Sequence, residues 1–228
     1  MEALLRWNSK KLGFVSHTEL IPIAEKSSLI IDLENWVIKT ASLQVKTWNK
    51  ISKQDFRIAI NISQMHFKQK NFLEEFNALM QNSGVNLNHL EIELTESAFL
   101  TQTEENIKKL FYLKSLGIEI SIDDFGTGYS SLSYLKKLPI NTIKIDKSFI
   151  DGLPDDKDDV AITKTIIDLA KRFNLKVVAE GVETKDQVDV LIELGCDTVQ
   201  GYYFFKPLSA EAFEQYFIVE KELALIQT

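Results

Sequence analysis

The sequence predicts an α/β fold in which parallel strands are joined by helical crossovers. Three observations carry that expectation. Short runs rich in β-branched residues recur, stretches with apolar residues at helical spacing fill the gaps, and no low-complexity linker breaks the alternation. Strand, helix, strand in that order requires parallel pairing, because a tight hairpin joins only antiparallel neighbours.

Each element follows from its local pattern. The opening run Glu2-Ala-Leu-Leu-Arg-Trp7 reads as a strand. Residues 18–50 are mostly helical, with Pro22 starting one helix, where its missing N–H does no harm. The clear strands are Arg57-Ile-Ala-Ile-Asn-Ile-Ser63, Leu90-Glu-Ile-Glu-Leu-Thr-Glu96, Ile118-Glu-Ile-Ser-Ile-Asp-Asp124, Thr142-Ile-Lys-Ile-Asp-Lys-Ser148, Lys176-Val-Val-Ala-Glu180 and Thr198-Val-Gln-Gly201. A helix over 69–82 follows from Phe72, Phe76, Leu79 and Met80, and one over 104–116 from Ile107, Leu110, Phe111 and Leu113; others span 158–173, 185–194 and 209–226. Thr101 with Glu104, and Thr184 with Gln187, have the spacing of capping boxes. Gly84, Gly117 and Gly195 stand where helices should stop. The acidic run Asp155-Asp-Lys-Asp-Asp159 reads as a solvated loop and helix start, and the Phe and Trp spacings along 14–56 as core packing.

These elements make about seven strands, one short of the eight that close a β/α barrel. An open doubly wound sheet is the competing architecture. No Gly-rich phosphate loop follows any strand, which weighs against it.

Composition narrows the function. The chain has 228 residues, 45% hydrophobic and 26% charged, which excludes a mostly disordered polymer. Its formal charge of −7 argues against binding a nucleic-acid polymer. One cysteine, Cys196, excludes a disulfide framework and a Cys-based zinc cluster, and its place after Gly195 suits an inert packing residue. No apolar run approaches the roughly 18 residues that a membrane span needs. The N-terminus lacks the pattern of a secretion signal, so a cytoplasmic location is expected.

Strand parity then sorts the polar residues. Ile58, Ile60 and Ile62, then Leu90, Ile92 and Leu94, Ile118, Ile120 and Ile122, and Ile143 and Ile145 form one greasy face that suits a layer of helices. If the sheet closes with its other face inward, Glu2, Asn61, Glu93, Asp123, Lys144, Asp146, Glu180 and Gln200 meet in one cavity. They would meet at the C-terminal strand ends, where barrels of this kind keep their active sites. Clustered carboxylates repel one another unless compensated, and all-oxygen donors favour hard divalent ions such as Mg²⁺ or Mn²⁺. Four or more carboxylates carry charge enough for two ions, a device used in phosphoryl displacement. Lys144 would either steer the attacking water or balance charge. The alternative is that some of these groups form ordinary salt bridges. The neighbours Asp123 and Asp124 point to opposite faces unless the strand bends, and Gly126 and Gly128 permit a bend.

Seven motifs in order resemble the EAL domain family of bacterial cyclic di-GMP phosphodiesterases. They are Glu2-Ala-Leu-Leu-Arg-Trp7, Asn61-Ile-Ser63, Glu93-Leu-Thr-Glu96, Asp123-Asp-Phe-Gly-Thr-Gly128, Lys144-Ile-Asp146, Ala179-Glu-Gly-Val-Glu183 and Gln200-Gly-Tyr202. The resemblance runs from Glu2 to about Leu208 and implies a single domain over 1–228. It implies a modified (β/α)8, TIM-like barrel, N-terminally truncated because the strand that usually precedes the first motif is missing. The expected reaction opens one phosphodiester of cyclic di-GMP to give linear pGpG; the alternative is a weak or inactive receptor for the same dinucleotide. By this resemblance the ligands of two divalent cations, Mg²⁺ or Mn²⁺, are Glu2, Asn61, Glu93, Asp123, Asp124 and Glu180, with Asp123 as the bridge. Lys144 helps activate the water, and Asp146 and Gln200 support it or the metal-bound waters. Arg6 resembles the family's phosphate-binding arginine. Leu5, Asp124, Gln200 and Glu183 are the other expected substrate contacts. Glu96 resembles the residue that holds loop 125–134, which in the family links the site to a homodimer interface. A sensor or nucleotide cyclase domain upstream is the expected neighbour in the parent chain.

Three further points concern individual residues. Glu183 either braces a loop through a hydrogen bond or caps the helix near Thr184. His17, His66 and His89 read as surface or capping residues. Asn141, where many relatives have Asp, sits in a loop and should change little.

Overall fold

The structure is a computed structural model, and it describes residues 1–52, 54–100, 104–128 and 135–219. Six strands, β3 (Ile58–Asn61), β4 (Leu90–Thr95), β5 (Glu119–Phe125), β6 (Thr142–Ile145), β7 (Lys176–Ala179) and β8 (Thr198–Val199), form one sheet in that order, and two more form a separate hairpin. The chain divides into two compact units: residues 1–92, 116–118 and 207 onward, and residues 93–115 with 119–206.

In the first unit, β1 (Trp7–Ser9) and β2 (Gly13–Val15) pair antiparallel, Trp7 with Val15 and Ser9 with Gly13. Helix α1 (His17–Lys26) leads to α2 (Ile30–Ile51). Helix α2 buries Ile30, Ile38, Ala41, Val45 and Trp48, a stripe with steps of three, four and multiples of them. Strand β3 (Ile58–Asn61) precedes the short helix α3 (Gln64–Phe67), whose first turn is capped by the Ser63 hydroxyl accepting from His66 N. Helix α4 (Phe72–Ser83) buries Phe72, Phe76 and Met80, each worth about 1.5–3 kcal/mol when taken from water. It stops at Gly84, whose φ of 59° places it in the left-handed region that a side chain resists. A 3₁₀ turn (Leu87–His89) then feeds β4 (Leu90–Thr95), whose second half belongs to the other unit.

The second unit continues with α5 (Glu96–Leu100), α6 (Glu104–Ser115) and β5 (Glu119–Phe125). Strand β6 (Thr142–Ile145) runs into a 3₁₀ turn (Lys147–Phe149) and then α7 (Lys157–Arg172). The acidic run does start that helix: the Asp156 carboxylate accepts from Asp158 N and Asp159 N. Strand β7 (Lys176–Ala179), α8 (Lys185–Leu194) and β8 (Thr198–Val199) complete it. Strands β5, β6, β7 and β8 are parallel, with Ile143 beside Ile122 and Val177, and Ala179 beside Val199. Ile120, Ile122, Ile143 and Ile145 are buried, as the parity expected, and so are Val177 and Ala179.

Several expectations need correction. The opening run is not a strand: it makes one parallel bridge, Glu2 with Ala59, because Trp7 onward is drawn into the hairpin. Pro22 does not start a helix but lies inside α1, which begins at His17 because the extended Ser16 carbonyl accepts from Leu20 N. The last helix is short, α9 (Ala210–Phe213), and continues as a π-helical stretch (Glu214–Val219); residues 220–226 of the expected span lie outside the described residues. Trp48 is core, its ring tilted by 36° against Phe213 with centroids 4.4 Å apart, but Trp36 and Phe14 are exposed. His66 is no surface residue: it is buried, with Nδ1 2.8 Å from a Glu34 carboxylate oxygen whose partner oxygen accepts from Ser63 N. Asn141 does more than occupy a loop, since its Oδ1 accepts from Lys114 Nζ and Ile120 N. The expected cap at Thr101 lies outside the described residues, whereas the capping box of Thr184 and Gln187 is present.

Candidate active site

The acidic residues of the second unit gather because four parallel strands deliver them from the same ends. Glu93 lies late in β4, Asp123 and Asp124 late in β5, Lys144 in β6, and Glu180 directly after β7. The register aligns Lys144 with Val178, two residues before Glu180.

Lys144 is the centre of this cluster. Its Nζ lies 2.9 Å from Glu93 Oε1, 3.1 Å from Asp123 Oδ1 and 2.8 Å from Glu180 Oε1. Lys144 and Glu93 are each only 3% exposed, so water screens these charges little.

Asp123 and Asp124 solve the parity problem by a backbone device. The β5–β6 register shifts between Ile122 and Phe125, and Asp124 adopts a φ of +52°. A non-glycine residue there costs about 1–3 kcal/mol, strain that the surrounding ladder must hold. The result is that Asp123, Asp124 and Glu180 each offer a carboxylate oxygen within 4.8 Å of the others. The bend sits at Asp124, two residues before the expected hinge pair of Gly126 and Gly128 begins.

Electrostatics agree with the crowding. Burial first, then repulsion from Asp123 and from Asp146, pushes the Asp124 carboxyl up to about 6, with a hydrogen bond to Asp146 adding to the rise. Asp146 also accepts from Ser148 N and its hydroxyl, which fixes the turn after β6. Against Glu93, Asp123, Asp124, Asp146 and Glu180, Lys144 is the cation these contacts show. Such a surplus of clustered negative charge, presented on hard oxygen donors, fits divalent cations. The residues that could hold one are Asp123, Asp124 and Glu180, with Glu93 alongside through Lys144.

Glu96 reaches the described part of the loop after β5. Its buried Oε2 accepts from Gly126 N at 3.0 Å and Gly128 N at 3.1 Å. A Cβ at Gly128 would lie 2.8 Å from Glu96 Oε1, so glycine is what lets the carboxylate close in. Residues 129–134 of that loop lie outside the described residues. Gln200 follows β8; its N donates to Ala179 O and its carbonyl accepts from Val182 N.

Glu183 braces rather than caps. Its carboxylate meets Lys147 Nζ at 2.5 Å, and its N donates to Gln187 Oε1. Lys147 and the side chain of Gln187 were not singled out as site residues; the capping box spacing gave one hint of Gln187. Cys196 is half-buried, and burial pushes its thiol up.

In the first unit, Asn61 Nδ2 donates to Glu2 Oε1 at 2.8 Å, so these two expected ligands are neighbours. Arg6 Nη1 is turned to its neighbour's carbonyl, Leu5 O, at 2.8 Å. Leu5 and Arg6 line a cavity of about 220 Å³ with Trp36, Val37 and Ile58.

A parallel α/β architecture with carboxylates at the strand ends defines an acidic-site α/β domain, and the comparisons with known proteins specify it. The EAL domain model matches residues 1–207, so the chain belongs to the EAL domain family. The bifunctional diguanylate cyclase/cyclic di-GMP phosphodiesterase MucR of Pseudomonas aeruginosa is 42% identical over 212 residues, covering 92% of this chain and 31% of MucR. The cyclic di-GMP phosphodiesterase PA2567 of the same organism is 39% identical over 216 residues, covering 95% of this chain and 37% of that protein. The chain therefore spans about a third of the length of these curated relatives. Among solved structures, the PaMucR phosphodiesterase in complex with c-di-GMP has a TM-score of 0.89 at 40% identity, covering 92% of this chain and 85% of that one. The EAL enzyme Bd1971 in its cAMP-bound form has a TM-score of 0.87 at 37% identity, covering 94% and 60%. The fold is thus that of the EAL domains, the TIM-like class the sequence predicted. Among the described residues no helix is long and apolar enough to cross a membrane.

Proposed function

We propose that this chain is a single EAL-type domain that hydrolyses cyclic di-GMP to linear pGpG with the help of two divalent cations, Mg²⁺ or Mn²⁺. The observation that carries the reading is the convergence of Glu93, Asp123 and Glu180 on Lys144, with Asp124 close by. Relatives at 39–42% identity named as cyclic di-GMP phosphodiesterases support it.

In this reading Asp123, Asp124, Glu180 and Glu93 hold the cations, and the ligand roles of Glu2 and Asn61 rest on the sequence resemblance alone. When bound, the cations supply Lewis acidity and lower the pKa of water near the phosphate. Lys144, fixed by three carboxylates, donates a hydrogen bond that orients the attacking water toward phosphorus. Its ammonium also limits the negative charge that the phosphate meets. The water oxygen bonds to phosphorus as the P–O3′ bond breaks, one of the water's protons ends on the departing 3′ oxygen, and the new phosphate stays on the 5′ end. Asp146 holds Asp124 through their hydrogen bond. Arg6 and Leu5, with Gln200 and Glu183, contact the dinucleotide, and Glu96 holds the loop through which a homodimer forms. The domain works in the bacterial cytoplasm, downstream of a sensor or cyclase domain in its parent chain.

Incubation with cyclic di-GMP and Mg²⁺ or Mn²⁺, followed by chromatography, should give pGpG, and excess EDTA should stop it. Tight binding with no pGpG under either ion would replace the enzyme with a receptor.

A further inference from the structure

A capping box asks its third helical residue only to accept hydrogen bonds, a job Glu does as well as Gln. Gln187 does more. Its Oε1 accepts from Glu183 N at 2.8 Å and Thr184 N at 3.1 Å, and its Nε2 donates to Ile150 O at 3.0 Å, 37 residues away. The side chain is buried, so each of these bonds replaces one that water cannot supply.

What Gln187 joins is the point. Ile150 closes the 3₁₀ turn that follows Asp146, and Glu183 and Thr184 end the loop that begins with Glu180. A second tie lies outside the first: Lys147 pairs with Glu183, and its stem packs so closely on Gly181 that a Cβ there would lie 2.4 Å from Lys147 Cγ. The same loop is fixed on its other side, since Val182 N donates to Gln200 O and Tyr203 N to Val182 O. Glu180 itself starts from a backbone bond to Ile145 O and reaches Lys144 at 2.8 Å.

We propose that Gln187 is a positioning residue: its amide locks the Glu180–Thr184 loop to the turn behind Asp146, and so holds the Glu180 carboxylate where it can share a cation with Asp123 and Asp124. The role requires an amide, because a carboxylate keeps the helix cap but sets an oxygen against the Ile150 carbonyl. This rests on the proposed reading of Glu180 as a metal ligand.

The test is Mn²⁺ titration by calorimetry on folded protein, well below the thermal midpoint, for Gln187→Glu, Gln187→Met and Glu180→Ala. Outer partners of metal ligands typically matter by about 10–100-fold in affinity. Gln187→Glu should keep its far-UV circular dichroism and bind Mn²⁺ about tenfold more weakly. Gln187→Met, which buries no charge, should do likewise and carries the test if the Glu variant does not fold. A purely structural role lowers the thermal midpoint and leaves Mn²⁺ affinity unchanged, and that result overturns the proposal. If Glu180→Ala weakens Mn²⁺ binding while the folded Gln187 variants do not, the positioning role alone fails. If Glu180→Ala has wild-type affinity, the ligand reading fails and this inference with it.

Discussion

Lys144 Nζ lies 2.8 Å from Glu180 Oε1, a contact between adjacent parallel strands that places a buried ammonium against a carboxylate at the end of β7. Glu93 and Asp123 meet the same ammonium from the strands on the other side. Breaking a buried pair from one side costs about 3–5 kcal/mol, because the remaining charge loses its partner.

Lys144→Met should therefore show a paradox. Without cations its thermal midpoint should fall well below wild type. Added Mn²⁺ should raise that midpoint by more than in wild type, since the freed carboxylates attract the ion more strongly. Turnover should drop by roughly 10²–10⁴, the usual weight of a group that orients or moves a proton. Thermal melts with and without Mn²⁺, beside a pGpG assay, check all three; a variant that stays active returns Lys144 to charge balance.

Asp123→Ala and Glu93→Ala should keep the fold and lose turnover through lost cation binding. Calorimetry with Mn²⁺ and near-UV circular dichroism measure the two halves separately. Normal activity in either variant refutes its ligand role.

Asp124 sets a pH dependence. Its folded pKa of about 6 stands above its unfolded value near 3.8, so the native chain holds this proton the more tightly. Asp124 therefore adds to stability fully below about pH 4, and that contribution is lost as pH rises through about 6. Protons and cations compete for the same oxygens, so Mn²⁺ affinity should fall as pH drops from 7.5 to 5. Asp124→Asn should bind Mn²⁺ more weakly at pH 7.5 and lose part of that pH dependence, which paired titrations reveal.

Glu96→Ala leaves Gly126 N and Gly128 N without their acceptor, each at a cost of about 1–3 kcal/mol if water cannot reach it. Hydrogen exchange at these two amides should quicken, and turnover should fall as the turn after Asp123 and Asp124 loosens. Unchanged exchange at both would detach Glu96 from that turn.

The sequence made the strand interiors legible, because alternation is local: Leu90, Ile92, Leu94, Ile143 and Ile145 fall buried as their parity demands. The acidic set was legible for the same reason, since Glu93, Asp123 and Lys144 take the polar parity of clear runs and Glu180 ends another. Local patterns failed where tertiary partners decide. The run at Glu2 has strand-like composition but one bridge to Ala59. His66 looks like a polar surface residue until Glu34, 32 positions earlier, supplies the buried partner. Gly126 and Gly128 announced a bend, but its place at Asp124 shows only in that residue's φ and in the register against β6. Gln187 showed its capping half in its spacing with Thr184, but no spacing rule points to Ile150.

Crystals grown with Mn²⁺ and measured at the manganese absorption edge test the central claim most directly. The account predicts two anomalous peaks about 3.5–4 Å apart, with an Asp123 carboxylate between them and Asp124 and Glu180 as ligands. Saturating Mn²⁺ that gives no peak beside those three carboxylates, or peaks only elsewhere on the surface, would contradict it.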